Sequence, residues 1–228
     1  EDLRTVAPTS YALSHGAYTN GEGQCAWWLR SPGMTPTSPA YLASAGVGRL
    51  GLCDYDIVTD SNLNRQLCYN ENDIGHSKVL CAERYIRALN KEVKTDAITV
   101  KLERSNVDEI VSKYDIIVDG SDNYETRFLL SDACQAHGKP FVFGAVCGMT
   151  GQVSVLCCKK KTYRDIMSEK EDASVVETDR LILGPTAGVI ASLQAMETIK
   201  MIVGIRPTLI DKLASVDLRT LNMEIFDL

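Results

Sequence analysis

The chain has 228 residues, 45% of them hydrophobic and 24% charged, with a formal net charge of −6 and a pI near 5.2. That length and apolar content allow a sizeable buried core and set intrinsic disorder aside. The acidic balance argues against DNA as a partner. No uninterrupted apolar run approaches about 20 residues and no signal-peptide layout opens the chain, so no membrane segment is expected and the cytoplasm is the expected location.

Residues 1–39 stand apart from the rest. They hold four of the seven prolines, both tryptophans and many Gly, Ser and Thr. Within this atypical N-terminal segment only Cys25 to Leu29 (CAWWL) reads as a strand, which can supply the first strand of a following domain. From Ala40 a regular pattern begins. PAYLASAGVG reads as a short helix ended by Gly46 or Gly48, and RLGLCDYD as a buried strand with acids at its end. HSKVLCAERYIRALN places Val79, Ala82, Ile86 and Leu89 at helical spacing, with Ser77 a candidate N-cap. VKTDAITVKL alternates like a strand, SNVDEIVSKY is a short helix, and YDIIVDGSDN is the strongest strand signal. ETRFLLSDACQAHG is a helix, KPFVFGAVCG a strand, and QVSVLCC a further strand with an antiparallel placement open.

The crossover from about 159 to 180 is rich in charge and reads as a solvated loop. ILGPTAGVIASLQAMETIKMIVG is a long helix, apolar around much of its circumference, that buries itself in the domain or against a second subunit. KLASVDLRTLNMEIFDL reads as one or two strands. Polar residues gather after the strands, so the expected class is α/β. The architecture is a Rossmann-like three-layer fold, mostly parallel at its centre with antiparallel additions, and ligands sit at the strand C-termini.

Three groups of residues carry candidate chemistry. Asp54, at the end of its strand, is placed to accept the hydroxyls of a ribose; the alternative is that Asp54 or Asp56 caps a loop. Asn62, Arg65, Gln66 and Lys78 form a second group. Two cations flanking one loop suit a triphosphate, and Lys78 in the first turn of its helix is disfavoured by the helix dipole unless an anion is near. The alternative is that both cations merely solubilise the surface. Asp122 follows the strongest strand and could hold Mg2+ between phosphates, since that ion is bound through one or two acids plus ligand oxygens. Asp119 is expected to be buried against backbone donors. For Arg127 a structural ion pair and a ligand contact stay equally open. The three histidines are scattered, and eight cysteines contain no CxxC pair, so no zinc site is expected.

Taken in order, DYDIVTDSNLNRQ, Lys78, VDGSDNYETR, GAVCGMTGQ and GPTAGVIASLQAMETIK resemble the ThiF/MoeB/HesA family, the relatives of ubiquitin-activating enzymes. The resemblance covers residues 40–228 as one nucleotide-binding domain. It implies an adenylyltransferase that uses ATP and Mg2+ to activate the C-terminal carboxylate of a small ubiquitin-like or sulfur-carrier protein, acting as a homodimer. Carried over, Asp54 binds ribose; Asn62, Arg65, Gln66 and Lys78 surround the phosphates; Asp122 holds magnesium. Arg65, Lys78 and Asp122 are then the catalytic set.

The chain departs from that pattern in four places. The glycine-rich phosphate loop is replaced by RSPGMTPTSPAYLA, in which Gly33 is the only glycine. The first of two CxxC zinc pairs is replaced by KKTYRDIM, with Thr162 and Asp165 at the cysteine positions. The crossover cysteine is absent from SVVETDR. The N-terminal AYTNGEGQCAWWLRSPG resembles the WWLRSPG signature of small secreted or lectin-like bacterial modules, as in a fused gene product, with CAWWL as a substitute first strand and Arg30 near the mouth of the site. These departures motivate an alternative: a catalytically impaired member that serves as a dimeric protein-binding module.

Overall fold

The structure, a computed structural model, describes residues 37–158, 160–167, 182–206 and 208–228, together with the backbone of residues 25–29. The elements run β1 (Cys25–Leu29), α1 (Thr37–Ser44), β2 (Arg49–Cys53), α2 (Lys78–Leu89), β3 (Lys94–Ile98), α3 (Val107–Ser112), β4 (Ile116–Val118), α4 (Tyr124–His137), β5 (Phe141–Cys147), β6 (Thr150–Leu156), α5 (Gly184–Val203), β7 (Lys212–Asp217) and β8 (Asn222–Asp227). One eight-stranded sheet has the order β3-β2-β1-β4-β5-β6-β7-β8. Its first five strands pair in parallel and the last three join antiparallel. The order reverses between β1 and β4, where a doubly wound sheet opens its ligand crevice.

Side-chain alternation along the strands splits the core in two. Leu50, Leu52, Ile116, Val118, Val142 and Val155 face one layer with Leu42, Val79, Ile86 and Ala195 from α1, α2 and α5. Ile117, Phe141, Phe143 and Leu156 face the other with Val107, Ile110, Phe128 and Leu130 from α3 and α4. Strands buried on both faces read as continuous apolar runs, which is why IIV and FVF carry no polar alternation.

Local chemistry sets the element ends. Gly46 takes a φ of +80° just after α1, and Gly138 caps α4 in the left-handed region. Asn123 starts α4 by accepting the Thr126 amide at 2.8 Å. Ser77 does not cap α2 with its side chain. Ser38, fully buried, donates to the Ala191 carbonyl at 2.6 Å and ties α1 to α5.

Three expectations are amended. The strongest strand signal yields only three residues, because the Asp119 carboxylate accepts the Ser121 amide at 2.8 Å and turns the chain away. The long helix α5 is taken up by the domain on one face only, which narrows the first of its two expected burials: Ala187, Ile190, Ala191, Gln194 and Ala195 are buried, whereas the apolar Val189 and Met196 are exposed. The start of the charged crossover is not simply solvated, since Tyr163 sits in a 3-10 turn, Tyr163–Asp165, and is fully buried. Arg30, Gly33 and the rest of 30–36 lie outside the described residues, as does 168–181; Thr37, Ser38 and Pro39 open α1.

Candidate active site

Asp54 directly follows β2 and is buried. Its amide donates to the Ile98 carbonyl at 3.2 Å, continuing the β2–β3 ladder by one residue, and its Oδ1 accepts the Asp56 amide at 2.8 Å. Three residues beyond Asp119, across the crevice, Asp122 is exposed and receives the Asn123 side-chain amide at 3.2 Å. Both acids line one cavity of about 260 Å³, together with Tyr55, Lys101, Ser121 and Thr126. Cys53 also lines it, and burial together with the Asp54 charge pushes its thiol up to about 12, so it is neutral near pH 7 and no nucleophile.

The two cations come from the connection between β2 and α2 and from the first residue of α2, and neither lines this cavity. A 3-10 turn, Asp60–Asn62, is closed by the buried Asn62, whose Oδ1 accepts the Thr59 amide at 3.0 Å. The Arg65 and Gln66 amides both donate to the Asn62 carbonyl, so the turn fixes where those two side chains emerge. The Arg65 guanidinium donates to Ser61 O at 2.8 Å and Asn64 Oδ1 at 2.7 Å. Burial lowers the Arg65 pKa and the charge of Asp122 opposes it, so the two groups share one electrostatic environment. Arginine keeps its charge regardless.

Lys78 opens α2 and is 2% exposed, so it is no surface solubiliser. Its backbone is fixed to the Asp56 carbonyl at 3.0 Å and its Nζ lies 3.5 Å from Asp56 Oδ2. Since Asp56 also donates to Asp54, the lysine is tied to the loop that presents the first acid. Gly184, the first residue of α5, packs on this loop: a Cβ there would lie 2.6 Å from Asn64 O. Glycine lets the helix start approach the Arg65 turn.

Beneath Asp122 lies a buried polar cluster. Asp119 Oδ1 accepts from the Ser121 amide and hydroxyl at 2.8 and 2.6 Å, and Oδ2 from Arg127 Nε at 3.1 Å. Arg127 Nη2 also donates to the Ser121 carbonyl at 2.7 Å. Burial pushes the Asp119 carboxyl up, and Arg127 and Ser121 oppose that push. The Gln194 amide donates to the Asp119 and Val142 carbonyls at 2.8 and 3.1 Å, joining the residue after β4 to the start of β5. It passes so close to Gly144 that a Cβ there would meet it at 2.5 Å.

Asp54 and Asp122 therefore share one cavity, Arg65 lies within electrostatic range of Asp122, and Lys78 is joined to Asp54 through Asp56. Asn62 and Gln66 are buried in the supporting turn. Arg65 itself lines a neighbouring apolar groove of about 690 Å³ with Tyr41, Leu67, Pro185, Val189 and Met196. Sequence reasoning named Asp56 only as a possible loop cap, and missed Lys101 and Gln194. Gln194 left one signal, a lone amide on the apolar stretch of a long helix.

Of these two acids Asp122 is exposed while Asp119 is committed to Arg127 and Ser121, so Asp122 is the one whose chemistry suits a magnesium ion. Thr162 and Asp165 do not fit a zinc pair. The Asp165 carboxylate accepts the Thr162 amide and hydroxyl at 2.8 and 3.0 Å, which presents a closed hydrogen-bonded turn with no thiolate.

The ThiF family model matches residues 38–228. "Adenylyltransferase and sulfurtransferase MOCS3" of Arabidopsis thaliana is 43% identical over 169 residues, covering 72% of this chain and 36% of its own. "Sulfur carrier protein adenylyltransferase" of Thermus thermophilus is 38% identical over 173 residues, covering 72% of this chain and 64% of its own. Among solved structures, E. coli MccB with ATP superposes with a TM-score of 0.78 at 19% identity, over 93% of this chain and 65% of that one, a likeness of fold. The chain spans from 36% to 64% of the length of these relatives. With the match running from the first turn of α1 to the last residue, the chain belongs to the ThiF family.

Proposed function

We propose that the protein is an ATP-dependent adenylyltransferase that activates the C-terminal carboxylate of a small ubiquitin-like or sulfur-carrier protein. The observation that carries this reading is the meeting of Asp54 and Asp122 at one strand-end cavity, with the second acid in the electrostatic field of Arg65. Relatives named as adenylyltransferases of sulfur carriers, and a fold neighbour solved with ATP, support the substrate class.

In the reaction, a carrier carboxylate oxygen forms a bond to the α-phosphorus as the α–β bridging P–O bond breaks. Acyl-adenylate and pyrophosphate result, and no protein nucleophile is required. Asp54 accepts the ribose hydroxyls and sets the depth of the nucleotide. Asn62 and Gln66 brace the turn from which Arg65 meets the phosphates, and Lys78 adds a second cation there, oriented by Asp56. Fixed positive charge stabilises the transition state because it is placed before charge develops. Asp122 would hold Mg2+ through the phosphates, and that ion would neutralise charge on the departing pyrophosphate.

The apolar groove beside Arg65 supports a second copy of the chain as neighbour. Tyr41, Leu67 and Met196 on it are all more than half exposed, an uneconomical arrangement for an isolated surface. The cytoplasm, where ATP is supplied, suits the reaction. Partner-dependent ATP–pyrophosphate exchange tests the assignment: Asp122→Asn should cut the rate at least about 100-fold with the fold intact. An unchanged rate removes Asp122 from the chemistry. Exchange absent at every carrier tried, together with no nucleotide binding, favours the dimeric binding module instead.

A further inference from the structure

We propose that Tyr163 is a positioning residue for the strand-end site, held by a metal-independent turn at Thr162–Asp165 where the family resemblance would place a zinc pair. Its bearing on turnover rests on the adenylation reading; its bearing on structure does not.

The turn is closed on itself. Thr162 donates twice to Asp165 Oδ2, and the Asp165 amide returns to the Thr162 carbonyl at 3.1 Å. That reciprocal capping box replaces a metal's cross-link with hydrogen bonds to an ionised acid, the stronger class of such bonds. Two arms leave the turn toward α4. Arg164 grips Asp132 with Nε at 2.9 Å and Nη2 at 2.7 Å, and its guanidinium lies 4.8 Å above the Phe128 ring. The Tyr163 amide donates to Ser131 Oγ at 3.0 Å.

These contacts drive the Tyr163 ring into the core. Its centroid is 5.1 Å from both Phe128 and Phe143, and the residue has no exposed surface. Arg127 lies against the same Phe143 ring at 5.5 Å. The Tyr163 hydroxyl is enclosed there beside the Arg127 side chain, in the electrostatic field of Arg127 and Asp119. Tyrosine and the two phenylalanines thus close the apolar side of the Asp119–Arg127 pair. Water kept out of that space leaves the pair in a low-dielectric setting, where its attraction is strongest and its geometry most restricted. Arg127 in turn holds the carbonyl of Ser121, the residue before Asp122. The physical chain runs from the turn to Tyr163, to Arg127, to the loop that carries the exposed acid.

Amide hydrogen exchange on the full chain reads this without any need for turnover. Tyr163→Ala, and more mildly Asp165→Asn, should raise exchange across residues 119–126 by about tenfold while β7 and β8 keep their protection. Tyr163→Phe, which keeps the ring, should retain it. In pyrophosphate exchange the same two damaging variants should lose about tenfold in kcat with KM for ATP within about twofold, as displacement of a reacting group predicts. Dialysis against a chelator, with Mg2+ restored before the rate is read, should change neither protection nor rate. Wild-type protection at 119–126 in folded Asp165→Asn and Tyr163→Ala overturns the proposal. So does an equal loss of protection in β7 and β8, which would mark a merely structural role. Zinc retained at one ion per chain, with protection lost on chelation, overturns the metal-independent turn. If the wild type shows no exchange of pyrophosphate, adenylation fails while the protection pattern still decides the role of Tyr163.

Discussion

The two halves of the sheet solve burial in opposite ways. In the parallel half, polar groups go inside and are committed to one another: Asp119 to Arg127 and Ser121, Gln194 to two backbone carbonyls, Lys78 toward Asp56. In the antiparallel half, the last strand leaves apolar groups outside, with Met223, Ile225 and Phe226 about half exposed on β8. The lesson is that buried polarity marks where this molecule holds geometry, because an unmet polar group inside costs far more than an exposed methyl outside.

The contrast can be broken most sharply at Arg127. Arg127→Met strands the Asp119 carboxylate in the core, and unfolding free energy measured with denaturant should fall by about 3–5 kcal/mol. A loss below 1 kcal/mol would mean that the pair is not enclosed. Gly144→Ala comes next: its new Cβ would collide with Gln194, for an expected cost of about 1–3 kcal/mol in the same assay, and Gln194→Ala in the same chain should relieve part of it.

Acid titration probes the turn before α5. Hydrogen bonds from Thr162 hold the Asp165 carboxyl below the usual carboxylate range. A depressed native pKa stabilises the fold above the unfolded value and loses that contribution as pH falls below about 4. Asp165→Asn should flatten this part of the stability profile; an unaltered profile would remove the residue from the turn's energetics. The smallest effect belongs to β8, where Phe226→Ser or Met223→Ser should stay within about 0.5 kcal/mol. A larger loss would show that β8 packs as the interior does.

Much of the fold was legible in the residues. IIV, FVF and RLGLC announce strands because both faces of a parallel sheet are buried, and Gly138 and Gly204 mark helix ends that need a left-handed residue. The placement of Asp54 and Asp122 at strand ends follows from the same topology. Other features needed three dimensions. VDGSDN hides a turn after three strand residues, because the competing bond from Ser121 to Asp119 is local and side-chain-borne. KKTYRDIM hides a buried tyrosine among charges, since burial there comes from Phe128 and Phe143, distant in the chain. The depth of Lys78 and the bridge made by Gln194 are likewise products of packing between separate elements.

Calorimetric titration of the full chain with ATP and Mg2+ tests the convergence of the two acids most directly. Binding at roughly micromolar strength is expected for wild type, weakened at least about 30-fold by Asp54→Ala, with Asp122→Asn still binding nucleotide but failing in exchange. No heat up to about millimolar nucleotide, or equal affinity in Asp54→Ala, would contradict a nucleotide seated between Asp54 and Asp122.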